Sequence, residues 1–139
     1  MKRIILAITM SVTLASAGCQ SMQNLEQAFS AASNFTVTQN ELDAARNTYD
    51  GTALATLHSY AALPRCPKGT AISLHNTCHD RALLKTMRSA DNDVTNAFNA
   101  TQDQITSGNN AGAVAAYKTL GNTITAIKKI MSDNNLSLI

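Results

Sequence analysis

Residues 81–133 decide the fold; they read RALLKTMRSADNDVTNAFNATQDQITSGNNAGAVAAYKTLGNTITAIKKIMSD. Apolar side chains recur in the first half at steps of three, four and seven residues, which predicts an amphipathic helix from about Asp80 to Ser107. The same pattern in the second half predicts another helix from about Ala111 to Ser132. The two predicted seams comprise Leu84, Met87, Asp91, Val94, Phe98, Thr101 and Ile105, and then Val114, Tyr117, Leu120, Ile124, Ile127 and Met131.

A break of a few polar residues separates these two helices. Gly108 can adopt the left-handed backbone conformation that ends a helix, and Asn110 can cap the next one. Because the connection is so short, we expect the two helices to lie side by side and antiparallel. The tail after them, Asp133–Ile139, is expected to fray.

A further helix is predicted upstream, from about Thr38 to Ala62. Thr38 and Glu41 have the spacing of a capping box, in which each side chain satisfies a free backbone N–H. Pro64 stops the helix, because the residue before a proline is driven out of the helical region. The apolar residues that recur between these ends are Leu42, Ala45, Tyr49, Ala53, Leu57 and Tyr60.

The fold class is therefore predicted to be all-α, an antiparallel three-helix bundle over residues 38–139 with a loop between its first and second helices. The chain has three Phe, three Tyr and no Trp, so its core must consist mainly of aliphatic side chains and alanine. Gly and Pro are too few for the many turns of a β-sandwich or barrel.

Two polar residues on the predicted helices need a separate interpretation. Asp91 interrupts the apolar seam of the second predicted helix. It either sets the helix register from a buried position or lies at the edge of the seam. Burial is the costlier alternative, because a buried carboxylate needs a partner. We expect it to face water, with Arg88 available to pair with it. His58 is expected to be half-buried and satisfied by hydrogen bonds, because catalysis would need a partner beside it.

The loop 63–79 is the most distinctive local feature. Its two cysteines, Cys66 and Cys78, are expected to form a disulfide in an oxidising compartment and so to brace the end of the bundle. The alternative is a zinc site that adds His75 and His79 to the two thiolates. The cysteine spacing does not match a zinc finger, and thiols of a protein outside the cytoplasm, where the export signal described below would place this chain, tend to be oxidised. We therefore predict the disulfide, and neither a metal nor another cofactor.

The same loop and the start of the next helix are basic. The candidate partner-binding residues are Arg65, Lys68, His75, His79 and Arg81, and Lys85 and Arg88 extend the surface. They are interpreted either as a docking surface for an acidic partner, anionic lipid or polysaccharide, or as a solvated face. The chain has no glycine-rich phosphate loop and no Gly-x-Ser-x-Gly motif, so we do not expect an enzyme and assign no catalytic residue.

The first nineteen residues, MKRIILAITMSVTLASAGC, have the layout of an export signal, in which a basic start precedes an apolar run and small residues. Their end, Ala17-Gly18-Cys19, resembles the lipobox of bacterial lipoproteins, although Ser16 stands where these usually carry Leu. The resemblance implies that Cys19 is lipidated, which would account for the odd cysteine of three. By the same resemblance, Gln20 after it implies that the lipoprotein is sorted to the outer membrane. Cleavage after Ala17 would instead release a soluble periplasmic or secreted protein, whereas the apolar run is short for an uncleaved anchor.

Three parts follow from this interpretation: a signal peptide over residues 1–18, a tether or short helix over 19–37, and the helical bundle domain. The charge supports the division, because Lys2 and Arg3 leave with the signal and nine basic residues then balance nine acidic ones. The surplus of +2 therefore gives no indication of a nucleic-acid partner, which needs a clustered basic face.

Sequence alone thus predicts a non-enzymatic, periplasm-facing helical interaction protein of the cell envelope, a small lipoprotein. It would contact the membrane through its lipid anchor and bind an unknown envelope protein or another copy of itself. The alternative is a small secreted periplasmic inhibitor, or a phage-type exclusion factor, that acts through the 63–79 loop.

Overall fold

The computed structural model describes residues 36–71 and 77–136. The predicted export signal, the lipidation site at Cys19, residues 19–35 of the predicted tether and His75 lie outside the described residues. The tether prediction is wrong at its end, because Val37 is buried in the core cluster. Within the described ranges the chain is helical and has no β-strand, only one isolated bridge, which confirms the helical prediction. The helices are α1 (Gln39–Tyr49), α2 (Ala55–Ala62), α3 (Arg81–Thr106) and α4 (Asn110–Asp133), and a π-helical turn, Asp50–Leu54, joins α1 to α2.

The two ends of the first predicted helix are confirmed. The Thr38 N–H donates to the Glu41 carboxylate at 2.7 Å, and the Glu41 N–H donates to the Thr38 hydroxyl at 3.3 Å, which together form the capping box. At the other end Leu63 is extended, with φ −66° and ψ 154°, as the proline after it requires.

The predicted first helix is helical throughout, but its middle is the π-helical turn and not α-helix. Ala45, Tyr49, Ala53 and Leu57 are spaced by four residues, and each such step drifts by about 40° around an α-helix. All four side chains are nevertheless buried. A π turn holds more residues than an α turn, because its hydrogen bonds join residues i and i+5. It therefore brings the last two residues back into line with the first two.

The caps of the two long helices follow the predicted chemistry, with one shift in register. Asp80 caps α3 by accepting a backbone N–H of the first turn at 2.8 Å. Gly108 ends α3 with φ +71°, as predicted. The cap of α4 is Asn109 and not Asn110, since the Asn109 side chain accepts the Gly112 N–H at 3.1 Å.

Three contacts join the first helix, which comprises α1, the π-helical turn and α2, to α3. At one end the side-chain amides of Gln39 and Gln102 exchange hydrogen bonds of 2.8 and 2.6 Å. In the middle the rings of Tyr49 and Phe98 pack with 6.0 Å between their centroids. At the other end the Tyr60 hydroxyl accepts the backbone N–H just before α3, at 2.7 Å.

One buried cluster is shared by all the described helices, and α3 and α4 pack against each other most extensively. Its composition is mainly aliphatic, as predicted. The large side chains that are fully buried in it are Leu42, Met87, Val94, Leu120, Ile124, Ile127 and Met131.

The expectation that Asp91 faces water, paired with Arg88, is wrong. Asp91 is half-buried, and its carboxylate accepts a hydrogen bond of 2.8 Å from the Tyr49 hydroxyl. Among the described residues, no carboxylate lies within 4 Å of the Arg88 guanidinium. The carboxylate therefore joins the first helix to α3 instead of lying free at the edge.

The chain does not fray immediately after α4, contrary to the prediction. Asn135 takes a left-handed conformation, with φ +56°, and the N–H of Leu136 donates to the Met131 carbonyl at 2.9 Å. Leu136 is buried, so its side chain seals the end of the helix. Residues 137–139 lie outside the described part of the chain.

All three tyrosines of the chain are buried, which predicts that their hydroxyls lose their protons only at unusually high pH. Burial raises the pKa of Tyr49, Tyr60 and Tyr117 above the ordinary value of 10.0, and the hydrogen bond to Asp91 adds to the effect at Tyr49. The folded state therefore keeps protons that the unfolded chain releases above about pH 10. The stability that depends on these protons is fully present below that pH and is lost as the pH rises further.

We expect no tyrosinate absorbance near pH 10 in the native protein, and its appearance at higher pH together with the loss of the helical circular dichroism. In concentrated denaturant the same tyrosines should titrate at about pH 10. Tyrosinate absorbance that rises at that pH while the helical signal is unchanged would contradict the burial of these side chains.

Candidate functional site

The sequence-predicted site lies in the loop between α2 and α3, and a disulfide closes it. The sulfur atoms of Cys66 and Cys78 are bonded, and their Cα atoms lie 4.9 Å apart, which confirms the predicted pairing. With both thiols in the disulfide, the alternative zinc site loses two of its four ligands. Across the described residues, no group of three or more His, Cys, Asp or Glu side chains is placed to hold a metal ion.

Backbone hydrogen bonds close the base of the same loop. Arg65 and His79 form a parallel bridge, in which the Cys66 N–H donates to the His79 carbonyl at 2.9 Å and the His79 N–H donates to the Pro64 carbonyl at 2.8 Å. The disulfide lies beside this bridge, so the two sides of the loop are held together by one covalent bond and two backbone hydrogen bonds.

His79 lies inside this base and not on its outer surface. Its ring is half-buried, and Nδ1 lies 2.6 Å from the Leu63 carbonyl. Because a carbonyl only accepts hydrogen bonds, Nδ1 must carry the proton. The ring packs against that of Tyr60 in a T-shaped pair, with 6.3 Å between the ring centroids. The predicted partner-binding residue therefore helps to hold the loop against the end of α2.

Tyr60 has a role in this region that the sequence does not indicate, since its place in the apolar series predicts only a core residue. Its ring is buried, and its hydroxyl accepts the Asp80 N–H at 2.7 Å. Asp80 in turn caps α3. One side chain thus links the end of the first helix, the loop base and the start of α3. The signal that could have found it is a tyrosine in the last turn before a proline-containing loop.

The other predicted site residues are exposed cations. Arg65 follows the proline that ends α2, Lys68 lies in a tight turn in which Gly69 has φ +82°, and Arg81 is the first residue of α3. Because Arg65 is bridged to a residue two positions before Arg81, these two belong to one surface. His75 lies outside the described residues.

Lys85 and Arg88 extend this surface along α3. Steps of four and three residues from Arg81 place all three cations on one helix face, and all three are exposed. In residues 36–71 and 77–136, no carboxylate lies within 4 Å of these cations or of the two in the loop. We call this set of Arg65, Lys68, Arg81, Lys85 and Arg88 the basic loop end.

The charges are unevenly distributed between the two ends of the helices. Residues 59–90 carry five Lys and Arg against one carboxylate, a net of +4. Residues 36–58 and 91–110 carry six carboxylates against one Arg, a net of −5. Residues 111–136 carry three Lys and one Asp, a net of +2. The described part of the chain therefore has a net charge of only +1, with its positive and negative residues concentrated in different segments.

His58 does not have the environment that the sequence suggested. Its side chain is exposed on α2, not half-buried. It lies on the outer face of that helix and is not part of the buried cluster.

No protein-family model, curated protein or solved structure shows significant similarity to this chain. The function must therefore be argued from the geometry alone. None of the helices in the described part of the chain combines the length and the apolar character needed to cross a bilayer.

Proposed function

We propose that this chain is an exported, non-enzymatic interaction protein of the cell envelope, held by a lipid at Cys19, that docks through its basic loop end. The observation that carries the proposal is a braced loop whose exposed cations have no carboxylate partner in the described residues. Exposed charges without internal partners are free to attract a charged surface.

The proposed architecture is an antiparallel three-helix bundle. Two observations support it: α3 and α4 pack extensively across a three-residue connection, and the first helix pairs with α3 in reverse order, Gln39 with Gln102 and Tyr60 with the start of α3. In this arrangement the loop end and the amino terminus of the first helix lie at opposite ends, about 33 Å apart along α3.

The proposed location rests on the export signal and on the disulfide. A disulfide persists in oxidising compartments such as the periplasm and is rare in the cytosol. The pairing of Cys66 with Cys78 leaves Cys19 as the one remaining cysteine of three, and lipidation gives it a role.

The second candidate is a secreted inhibitor or phage-type exclusion factor that inserts the loop into a target. The braced base of the loop favours it, because a pre-organised loop loses little conformational entropy on binding. Such a blocker would lose its effect when Arg65 and Lys68 are neutralised with the fold intact, and it would not need Cys19. The envelope protein would need Cys19 for its location.

Cell fractionation combined with intact mass tests the proposal. We expect the protein in the envelope fraction, with the mass of residues 19–139 plus lipid, and a gain of two hydrogen masses on reduction. The variant Cys19→Ser should move to the soluble periplasmic fraction when the envelope is washed with about 0.5 M salt, which screens the attraction of exposed charges. Uncleaved protein in the cytosol would overturn the proposal, and unlipidated protein that begins at Gly18 would favour the secreted inhibitor.

A further inference from the structure

The chemistry of the basic loop end narrows the class of partner. Its cations come from two elements, Arg65 and Lys68 from the loop and three residues from one face of α3, and all of them are exposed. The large apolar side chains next to these cations in the described part of the chain are all at least half-buried against the core cluster: Leu63, Leu83, Leu84 and Met87. The described part of this surface therefore offers spread positive charge and no exposed large apolar side chain.

This combination fits a protein partner poorly. The cores of protein–protein interfaces are depleted in charge, and aromatic or apolar anchors supply most of their binding energy. The chain has no Trp, and its three tyrosines are buried. An anionic lipid surface, by contrast, is broad and attracts basic residues without any complementary pocket.

We propose that the basic loop end docks on an anionic membrane surface and that its cations contact lipid phosphates. Arg65, Arg81 and Arg88 can each bind a phosphate through two parallel N–H donors, while the lysines act as point charges. The opposite end of the helices carries a net negative charge and is repelled by the same surface. Charge therefore orients the molecule as well as attracting it.

This inference rests on the proposed envelope location, and the length of the preceding chain is compatible with it. Seventeen residues lie between Cys19 and Val37, and a chain of that length can span about 60 Å when extended. That distance exceeds the length of the bundle, so the lipid and the basic loop end can contact the same membrane. A lipid chain together with a basic patch is a stronger anchor than either alone.

Vesicle co-flotation of the exported Cys19→Ser protein, which cannot carry a lipid, tests the inference. We expect binding to vesicles of phosphatidylglycerol and phosphatidylethanolamine, none to pure phosphatidylcholine, and loss of binding at about 0.5 M salt. The double variant Arg81→Gln with Lys85→Gln should bind about 30-fold more weakly, because each cation at the surface contributes separately.

The matched control is the double variant Arg46→Gln with Lys118→Gln, which has the same net charge but removes exposed cations outside the basic loop end. It should bind as the parent does, and circular dichroism should show that both double variants are folded. Absence of parent binding at low salt, or equal losses in the two variants, would overturn the inference. Capture by a soluble acidic protein with no vesicle binding would also overturn it but would leave the proposed function standing, whereas a cytosolic location would remove the proposed function.

Discussion

Replacing Cys66 and Cys78 by serine is expected to lower the free energy of unfolding by about 3 kcal/mol. The disulfide closes a short loop in the unfolded chain, and its removal restores the conformational entropy that the cross-link withholds. For a domain of this size the melting temperature should fall by about 10–15 °C. Thermal unfolding followed by circular dichroism measures the change, and reduction of the unmodified protein should reproduce it.

The matched control is Cys19→Ser, which removes the third cysteine of the chain without touching the loop. We expect the Cys19→Ser variant to have the same melting temperature as the parent domain without its lipid. An unchanged melting temperature for the double serine variant would mean that the disulfide contributes nothing to stability. The claim that it braces the basic loop end would then be wrong.

Tyr60→Ala is expected to destabilise the fold by about 3–5 kcal/mol, the usual cost of removing a buried aromatic ring. Tyr60 is only 3% exposed and contacts both the core and His79. The variant should also release the loop base, because the Asp80 N–H loses its acceptor. Denaturant unfolding measures the stability, and hydrogen exchange of the Asp80 amide reports on the loop base.

Tyr60→Phe separates the two effects. It keeps the ring and removes only the hydroxyl, so it should cost about 1–3 kcal/mol through the unsatisfied N–H. The Asp80 amide should exchange faster in both variants, while only the alanine variant should lose most of the packing energy. If the phenylalanine variant exchanged that amide at the parent rate, the Tyr60 hydroxyl would not hold the loop base.

The features that could be predicted from sequence are those determined by residues close together in the chain. Pro64 ends a helix through its own ring, Gly108 ends another through its left-handed backbone, and Thr38 caps through a residue three positions away. Such contacts depend little on the rest of the fold. The disulfide was predictable for a different reason, since two of three cysteines in a chain with a predicted export signal have few alternatives.

The features that could not be predicted depend on packing between distant residues. Asp91 is half-buried because Tyr49, forty-two residues earlier, supplies a hydroxyl, and nothing near Asp91 in the sequence indicates this. The π turn likewise arises because the first helix must keep one face against its neighbours. His79 turns inward because the loop closes and brings the Leu63 carbonyl, sixteen residues away, beside its ring.

The candidate site also has features that could be predicted from sequence and features that could not. The exposed cations could be found from composition, because Lys and Arg remain at the surface unless they are paired. Their lack of carboxylate partners in the described residues, and the role of Tyr60 beneath them, required the structure. The sequence thus predicted the charge of this surface, and the structure explained why it is held in place.

Site-specific photo-cross-linking in intact cells tests the central claim, docking through the basic loop end, most directly. A photoreactive residue replaces Lys68 in the loop, and in a matched variant it replaces Thr106, which is exposed at the far end of α3. The account predicts cross-links to lipid or to an envelope component from position 68 and none from position 106. Equal cross-linking from both positions, or none from position 68 in correctly exported protein, would contradict it.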